Sequence, residues 1–300
     1  MVLVFGTICL DRIHLIPKFP EPGGYVEVSF ETEMLGGEAA NTTLAIRELG
    51  GDAQLVGNPI GNDYSGDTLA SFAIAHGLPQ MERIEQFDTP VCDIFVTSDA
   101  ERTMLGRGFA MLDKAKMHIP NFQGADWVTA EPNMKDTSRK VIRAAKEAGK
   151  KTYLMDFIAD NDFEIVRGCD YWQSSTDWVG NRGDKTYNKE WAHKHSQAHG
   201  CTTIITDGAL GFVVCEPSKD PRYYPSFPCE KNVDGTGAGD LFRAGMLFGL
   251  DNDFELRECL LIAASAACLA CQSLGATANL PTIEQVHSLI SKIQEVANQY

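Results

Sequence analysis

Apolar positions alternate along the chain between short β-rich runs and stretches of helical spacing. Residues 2–5 are an unbroken apolar run ending at Gly6, which predicts a strand buried on both faces. Residues 38–49 carry Leu44, Ile46 and Leu49 at helical spacing and stop at Gly50-Gly51, a C-terminal helix signal. Further strands are predicted over 54–56, 127–129, 151–155 and 202–206, and further helices over 67–76, from Asp136 or Thr137 to Ala148, and from 282 to about 296. The strand-then-helix rhythm predicts an α/β chain with a mainly parallel sheet covered by helices. Two β excursions interrupt it. Residues 25–34 alternate as a strand does, after the Pro- and Gly-rich stretch 17–24, and 91–97 with 102–105 read as a hairpin around the turn 98–101. We expect one domain over 1–300, with a small β lid inserted from about 10–34 and 88–108.

Composition narrows the partners. The 300 residues hold 26 Lys+Arg against 41 Asp+Glu, a formal net charge of −15, with 44% hydrophobic residues. That balance is globular and argues against a nucleic-acid-coating protein, whose affinity comes from a basic surface. A local site for a small anion stays open. No membrane span is expected. Residues 1–6 are too short for a signal core, and the uncharged stretch 260–275 is dense in Ala, Ser and Cys, as suits a helix buried among helices. The nine scattered cysteines read as reduced, mostly buried thiols of a cytoplasmic protein. Cys268 and Cys271 have CxxC spacing, but no second pair lies nearby, so they read as part of a packed helix. Asn41-Thr42-Thr43 is a formal glycosylation sequon, discounted without a secretion signal. His195 and His199 share a helix face with His193 close by. No carboxylate or cysteine sits at a matching position, and a polar helix surface is expected.

The strongest chemical signal runs from Asp234 through Gly235, Thr236, Gly237, Ala238 and Gly239 to Asp240, followed by an apolar helix-forming run through Gly245. Glycines permit unusual backbone angles and close ligand approach. The first amides of a helix lack internal partners, and the dipole makes that end positive, so such a turn binds anions. Asp240 would project from the first turn toward the same point. A carboxylate beside an anion cradle suits a base that deprotonates a hydroxyl while the amides hold a transferring phosphate. The plainer reading is a helix cap worth about 1 kcal/mol. No GxxxxGK[ST] loop occurs, no GxGxxG follows the first strand, and the protein-kinase motifs are missing.

These motifs resemble the ribokinase-like (PfkB) family of carbohydrate and nucleoside kinases. The stretch 234–240 is similar to its C-terminal signature. Gly36-Gly37 with Asn41 is similar to its N-terminal signature, and 56–66 to the turn that follows. The order matches from residue 4 to about 281. The resemblance implies a three-layer α/β/α sandwich with a small β-sheet lid, and an ATP-dependent transfer to a hydroxyl in which Asp240 is the base and Gly237, Ala238 and Gly239 form the anion hole. It also implies that Asp11, Gly36, Gly37, Asn41, Glu131 and the lid residue Arg102 contact the acceptor. Thr206, Gly208, Gly211, Thr236 and Gly275 would border ATP.

The family's Asn-x-x-Glu, tied to Mg²⁺, is absent from the corresponding stretch 171–178, where Asp177 could take the acidic role. Asp234 would belong to the monovalent-cation (K⁺) site that some members carry. A fructose- or ribose-like sugar is the first expectation for the acceptor and a nucleoside the second. A non-catalytic sugar- or nucleotide-binding scaffold is the rival of another class. Members often pair through the lid, so a homodimer is a further expectation.

Overall fold

A computed structural model of the chain describes residues 1–114, 117–157 and 164–300. The N-terminal apolar run forms β1 (Val2–Gly6), every residue of it buried. It lies between β4 (Ala53–Gly57) and β7 (Trp127–Ala130), parallel to both. The sheet continues in parallel through β8 (Lys151–Met155), β9 (Tyr171–Ser175) and β10 (Thr202–Thr206). It then turns antiparallel through β11 (Phe212–Cys215) and β12 (Arg222–Tyr224). Among the described residues this makes an eight-stranded sheet, ordered β12-β11-β10-β9-β8-β7-β1-β4.

Alternate side chains of β1 feed opposite layers. Val2 and Val4 pack with Leu44, Leu69, Leu241 and Leu260, from α1 (Glu38–Glu48), α2 (Tyr64–Ala75), α5 (Ala238–Asp251) and α6 (Leu256–Ala270). Leu3 and Phe5 pack with Val141 and Ile142 of α3 (Asp136–Glu147), in a cluster that Trp191 of α4 (Lys185–His199) joins. This is the expected three-layer α/β/α arrangement. Close packing of α5 on α6 depends on small residues, since a Cβ at Gly245 would lie 2.6 Å from the Ala263 Cα.

A second, four-stranded sheet, ordered β3-β2-β5-β6, comes from the two predicted excursions. It holds β2 (Cys9–Leu15), β3 (Phe30–Gly36), β5 (Val91–Val96) and β6 (Arg102–Arg107). Several boundaries correct the sequence reading. The strand predicted over 25–34 begins only at Phe30, because ladder pairing with β2 starts there, and Tyr25 lies exposed in the preceding irregular segment. β2 itself was not predicted: Asp11, Arg12 and His14 break its apolar pattern. The helix predicted over 67–76 begins at Tyr64, where Asp63 caps it by accepting from the Gly66 amide at 2.7 Å. The C-terminal helix is not continuous. Ile293 leaves helical angles, with φ −117° and ψ 53°, and separates α7 (Ile283–Lys292) from the short α8 (Gln294–Ala297).

Three sequence signals resolve as packing. His195 is buried and stacks on Trp191 with ring centroids 3.9 Å apart, so of the three histidines only His193 lies on the expected exposed polar surface of α4. Burial of its ring pushes the His195 pKa down to about 4. Cys268 and Cys271 close the buried helix α6, and among the described residues no group of three or more His, Cys, Asp or Glu could hold a metal. Asn41 lies 4% exposed within α1, closing the sequon to modification. All nine thiols are free, and among the described residues no helix is long and apolar enough to cross a membrane.

The small sheet rests on the body at Gly275. A Cβ there would lie 2.4 Å from Met34 Sδ and 2.5 Å from Ile13 Cδ1, and the backbone sits in the left-handed region at φ +85°. Gly275→Val should cost about 1–3 kcal/mol by overpacking. It should also lift β2 and β3 from the body, read as faster hydrogen exchange in both strands. Wild-type exchange there would show that the contact does not hold the lid.

Candidate active site

The glycine-rich turn seats the start of α5. Gly237, the N-cap, adopts φ +77°, and a Cβ on it would lie 2.4 Å from the Ala276 Cβ. A larger residue is therefore excluded twice, by backbone angle and by space. Asp234 is wholly buried and braces the turn. Its Oδ1 accepts from the Thr236 amide at 2.9 Å and hydroxyl at 2.6 Å, and its Oδ2 from the Gly275 amide at 2.8 Å. A monovalent cation at Asp234 would have only the remaining capacity of Oδ2. Of the three predicted anion-hole amides, that of Ala238 closes a long 3.3 Å turn bond to the Gly235 carbonyl. Gln173 on β9 donates to the Gly239 carbonyl at 3.1 Å and accepts from the Tyr153 hydroxyl at 2.7 Å, tying the turn to the central sheet.

Asp240 stands in the first turn of α5, 5% exposed. Its Oδ2 accepts from Asn41 Nδ2 at 2.9 Å, and Arg243 Nη2 lies 3.4 Å from its Oδ1. Burial pushes its carboxyl up to about 8. Arg243 and Asn41 pull against that, while Glu38 and Glu131 add to it. A carboxyl held there becomes an acceptor for a proton as pH rises toward about 8.

The Gly-Gly signature seats the other helix. A Cβ on Gly36 would fall 2.1 Å from the Asp11 carboxyl carbon, and one on Gly37, at φ +95°, 2.4 Å from the Thr7 carbonyl oxygen. Asp11 is thus no turn residue. It lies on β2 with its carboxyl against the Gly36 backbone, on the lid face it shares with Ile13, Met34, Cys92 and Ile94. Burial pushes it up to about 7; the Cys9 thiol, which donates to it at 3.1 Å, opposes this, and Asp234 adds to it.

Glu131 has both oxygens engaged, by the Thr7 amide and hydroxyl and by the Asn133 amide, the last at 2.6 Å. It braces the turn after β1, and burial pushes its carboxyl up to about 7. Arg102 reaches from the lid over the glycine loop: a Cβ on Gly235 would meet its Nη1 at 3.0 Å.

The structure therefore gathers Asp11, Gly36, Gly37, Asn41, Arg102, Asp234, Thr236, Gly237, Ala238, Gly239, Asp240 and Gly275 around the adjoining starts of α1 and α5. Thr206, Gly208 and Gly211 lie apart, at the end of β10 and in the turn to β11. Beside them Asp207 accepts from the Thr176 hydroxyl at 2.8 Å and the Gly183 amide at 2.9 Å. Asp177 is exposed and belongs to no cluster that could cage a metal.

Four residues were given no site role by the sequence reading. Glu38 accepts from Asn133 Nδ2 at 3.0 Å through Oε1. Gln173 and Arg243 hold the turn. Asp156 follows β8 at φ +55°, and its Oδ1 accepts from the Ser174 hydroxyl at 2.7 Å. Burial pushes its carboxyl up to about 7. Its place just past a strand's C-terminal end was the available signal. Glu38 Oε2, Asn41 Oδ1 and Arg243 Nη1 are buried without a protein partner, so the centre keeps both acceptors and a donor for a hydroxyl-bearing ligand.

Comparison with known proteins agrees with this geometry. An "uncharacterized sugar kinase" of Dictyostelium discoideum is 27% identical, with 96% of this chain and 97% of that protein covered. The nucleoside kinase of Methanocaldococcus jannaschii is 24% identical over 96% and 95%. The ribokinase of Cryptococcus neoformans, solved with ADP, superposes with a TM-score of 0.79 at 18% identity, over 96% of this chain and 98% of that one. The pattern of the pfkB carbohydrate kinases matches residues 1–283, and the chain belongs to that family.

Proposed function

We propose that the protein transfers the γ-phosphoryl group of ATP to a hydroxyl of a small sugar of the fructose or ribose kind. The observation that carries this is Asp240: a buried carboxylate at the glycine-rich start of α5, hydrogen-bonded by Asn41 of the Gly-Gly helix. Asp240 takes the proton of the attacking hydroxyl. The amides of Gly237, Ala238 and Gly239 face the charge spread over the transferring group, and Arg102 adds a cation from the lid. Asp11 and Asn41 orient acceptor hydroxyls, and the lid excludes water. Thr206, Gly208, Gly211, Thr236 and Gly275 border the nucleotide. Asp177 would be the acidic side chain to hold, through water, a Mg²⁺ bound to the ATP phosphates, which would supply charge neutralisation there. Glu131 acts by holding the turn beside the acceptor.

One observation favours a nucleoside as the second reading. Asp11 shares its lid face with Ile13, Met34, Cys92 and Ile94, an apolar surface suited to a base. The free thiols fit a reducing, cytosolic setting. We propose a homodimer through the lid, because Phe30, Met104 and Leu105 of the small sheet, with Tyr25 beside it, expose large apolar area.

Asp240→Asn should lower kcat by about 10²–10⁴-fold with ATP binding kept, and near-wild-type kcat would remove the base assignment. A panel of hexoses, pentoses and nucleosides, read by ADP release, decides the acceptor, and transfer to none of them would favour the scaffold. The base works ionised, so kcat/KM should rise as pH climbs toward about 8, the value to which Asp240 is pushed. A flat profile there would contradict it. Light scattering should give twice the chain mass, falling to one chain in Met104→Glu/Leu105→Glu. A wild-type monomer at assay concentration would refute the lid dimer.

A further inference from the structure

Arg243 is wholly buried, and among the described residues it is the one buried Lys or Arg side chain. Burying a guanidinium is costly unless its donors are met by good geometry. Here Nε donates to the Thr42 hydroxyl at 2.9 Å and Nη2 to the Glu38 carbonyl at 2.7 Å, both on α1. Those two bonds leave Nη2 3.4 Å from Asp240 Oδ1, one helical turn back on α5. The guanidinium thus spans both helices whose starts build the site.

We infer that Arg243 is a positioning residue for the transfer reaction: it fixes the Asp240 carboxylate against α1 and favours the ionised form that accepts a proton. The inference rests on the kinase reading for its consequence and on these contacts for its geometry.

The charges facing Asp240 show why the arginine is needed. Glu38 on α1 and Glu131 after β7 raise its carboxyl, as does burial, the largest cause. Asp156, past β8, and the Tyr153 phenol on β8 face the guanidinium. Gln173 on β9 and Asn41 and Thr42 on α1 are neutral, and α6 meets α5 through Ala263 and Cys259. Arg243 is therefore the cation that opposes three surrounding carboxyls. An opposite charge this close lowers a carboxyl pKa by about 1–3 pH units. Without it the Asp240 carboxyl would rise above about 8, and the ionised fraction able to act as a base at neutral pH would fall further. A merely structural brace between α1 and α5 would lower activity equally at every pH, whereas a group that sets ionisation moves the acid limb of the profile.

The test compares wild type, Arg243→Gln and Arg243→Lys by kcat and KM from about pH 6 to pH 9. In parallel, ¹³C-carboxyl titration of the aspartates follows Asp240, assigned with Asp240→Asn. For R243Q the acid limb and the Asp240 titration should both move up by about 1–3 pH units. Activity near neutrality should then fall about tenfold per unit moved and climb steadily toward the alkaline end. R243K keeps the charge but cannot reach Thr42 and the Glu38 carbonyl together. Its limb should stay near that of wild type while kcat falls at an unchanged KM for ATP. A uniform loss at all pH in R243Q, or an unmoved Asp240 titration, overturns the proposal. If R243Q does not fold, R243K decides, and wild-type kcat in that variant overturns it. A wild-type enzyme silent with every acceptor would defeat the kinase reading instead, and the carboxyl titration would still decide on Arg243.

Discussion

The starts of α1 and α5, about two hundred residues apart in sequence, must sit against each other with their polar groups matched. Asn41 to Asp240, and Arg243 to Thr42 and the Glu38 carbonyl, are the contacts that do this. Each helix is brought into place by a glycine whose Cβ would collide with its surroundings, Gly37 on Thr7 and Gly237 on Ala276. The two signature motifs are therefore halves of one interface. The sheet fixes their separation: Thr7 and Ile8 leave the end of β1, and Gln173 on β9 holds the Gly239 carbonyl. Loss of the Asn41 or Arg243 contacts would leave a buried charged group less well met, which costs far more than an exposed ion pair contributes.

Burial explains the unusual titration of the site. Asp11, Glu131 and Asp156 are pushed up to about 7 and Asp240 to about 8, in each case mainly by desolvation. Each of these groups binds its proton more tightly folded than unfolded. Their joint contribution to stability is thus greatest at low pH and declines as pH rises from the ordinary carboxylate range through about 8. The formal charge of −15 does not act as a field that draws ATP in. On the reading proposed above, attraction is local, from helix-start amides, Arg102 and a metal carried by the nucleotide.

The sequence was most legible where one local rule decides the outcome. The run at 2–5, buried on both faces, and the glycine stop at 50–51 led directly to β1 and α1. The two glycine motifs were legible because they combine backbone demand with chemistry. Legibility failed where partners are distant. β2 carries three polar residues in seven and is a strand because β3 and β5 pair with it, a fact no local pattern holds. Glu38, Asp156 and Arg243 look like ordinary helix and loop residues until α1, β8 and α5 converge. His195 failed in the opposite sense: its polar spacing suggested a surface, but Trp191 and Trp172 enclose it.

Gly275 has two neighbours of different kinds. Its amide holds Asp234 Oδ2, and its α-carbon bears Ile13 and Met34 of the lid. On the proposed reading, the roof over the acceptor and the loop around the phosphates therefore share one residue. Sites joined in this way exchange free energy, and thermodynamic reciprocity follows: whatever factor the nucleotide adds to acceptor affinity, the acceptor adds to nucleotide affinity. Order of addition would then be a matter of kinetics alone, while the doubly occupied, closed form is the state in which each ligand is held most tightly.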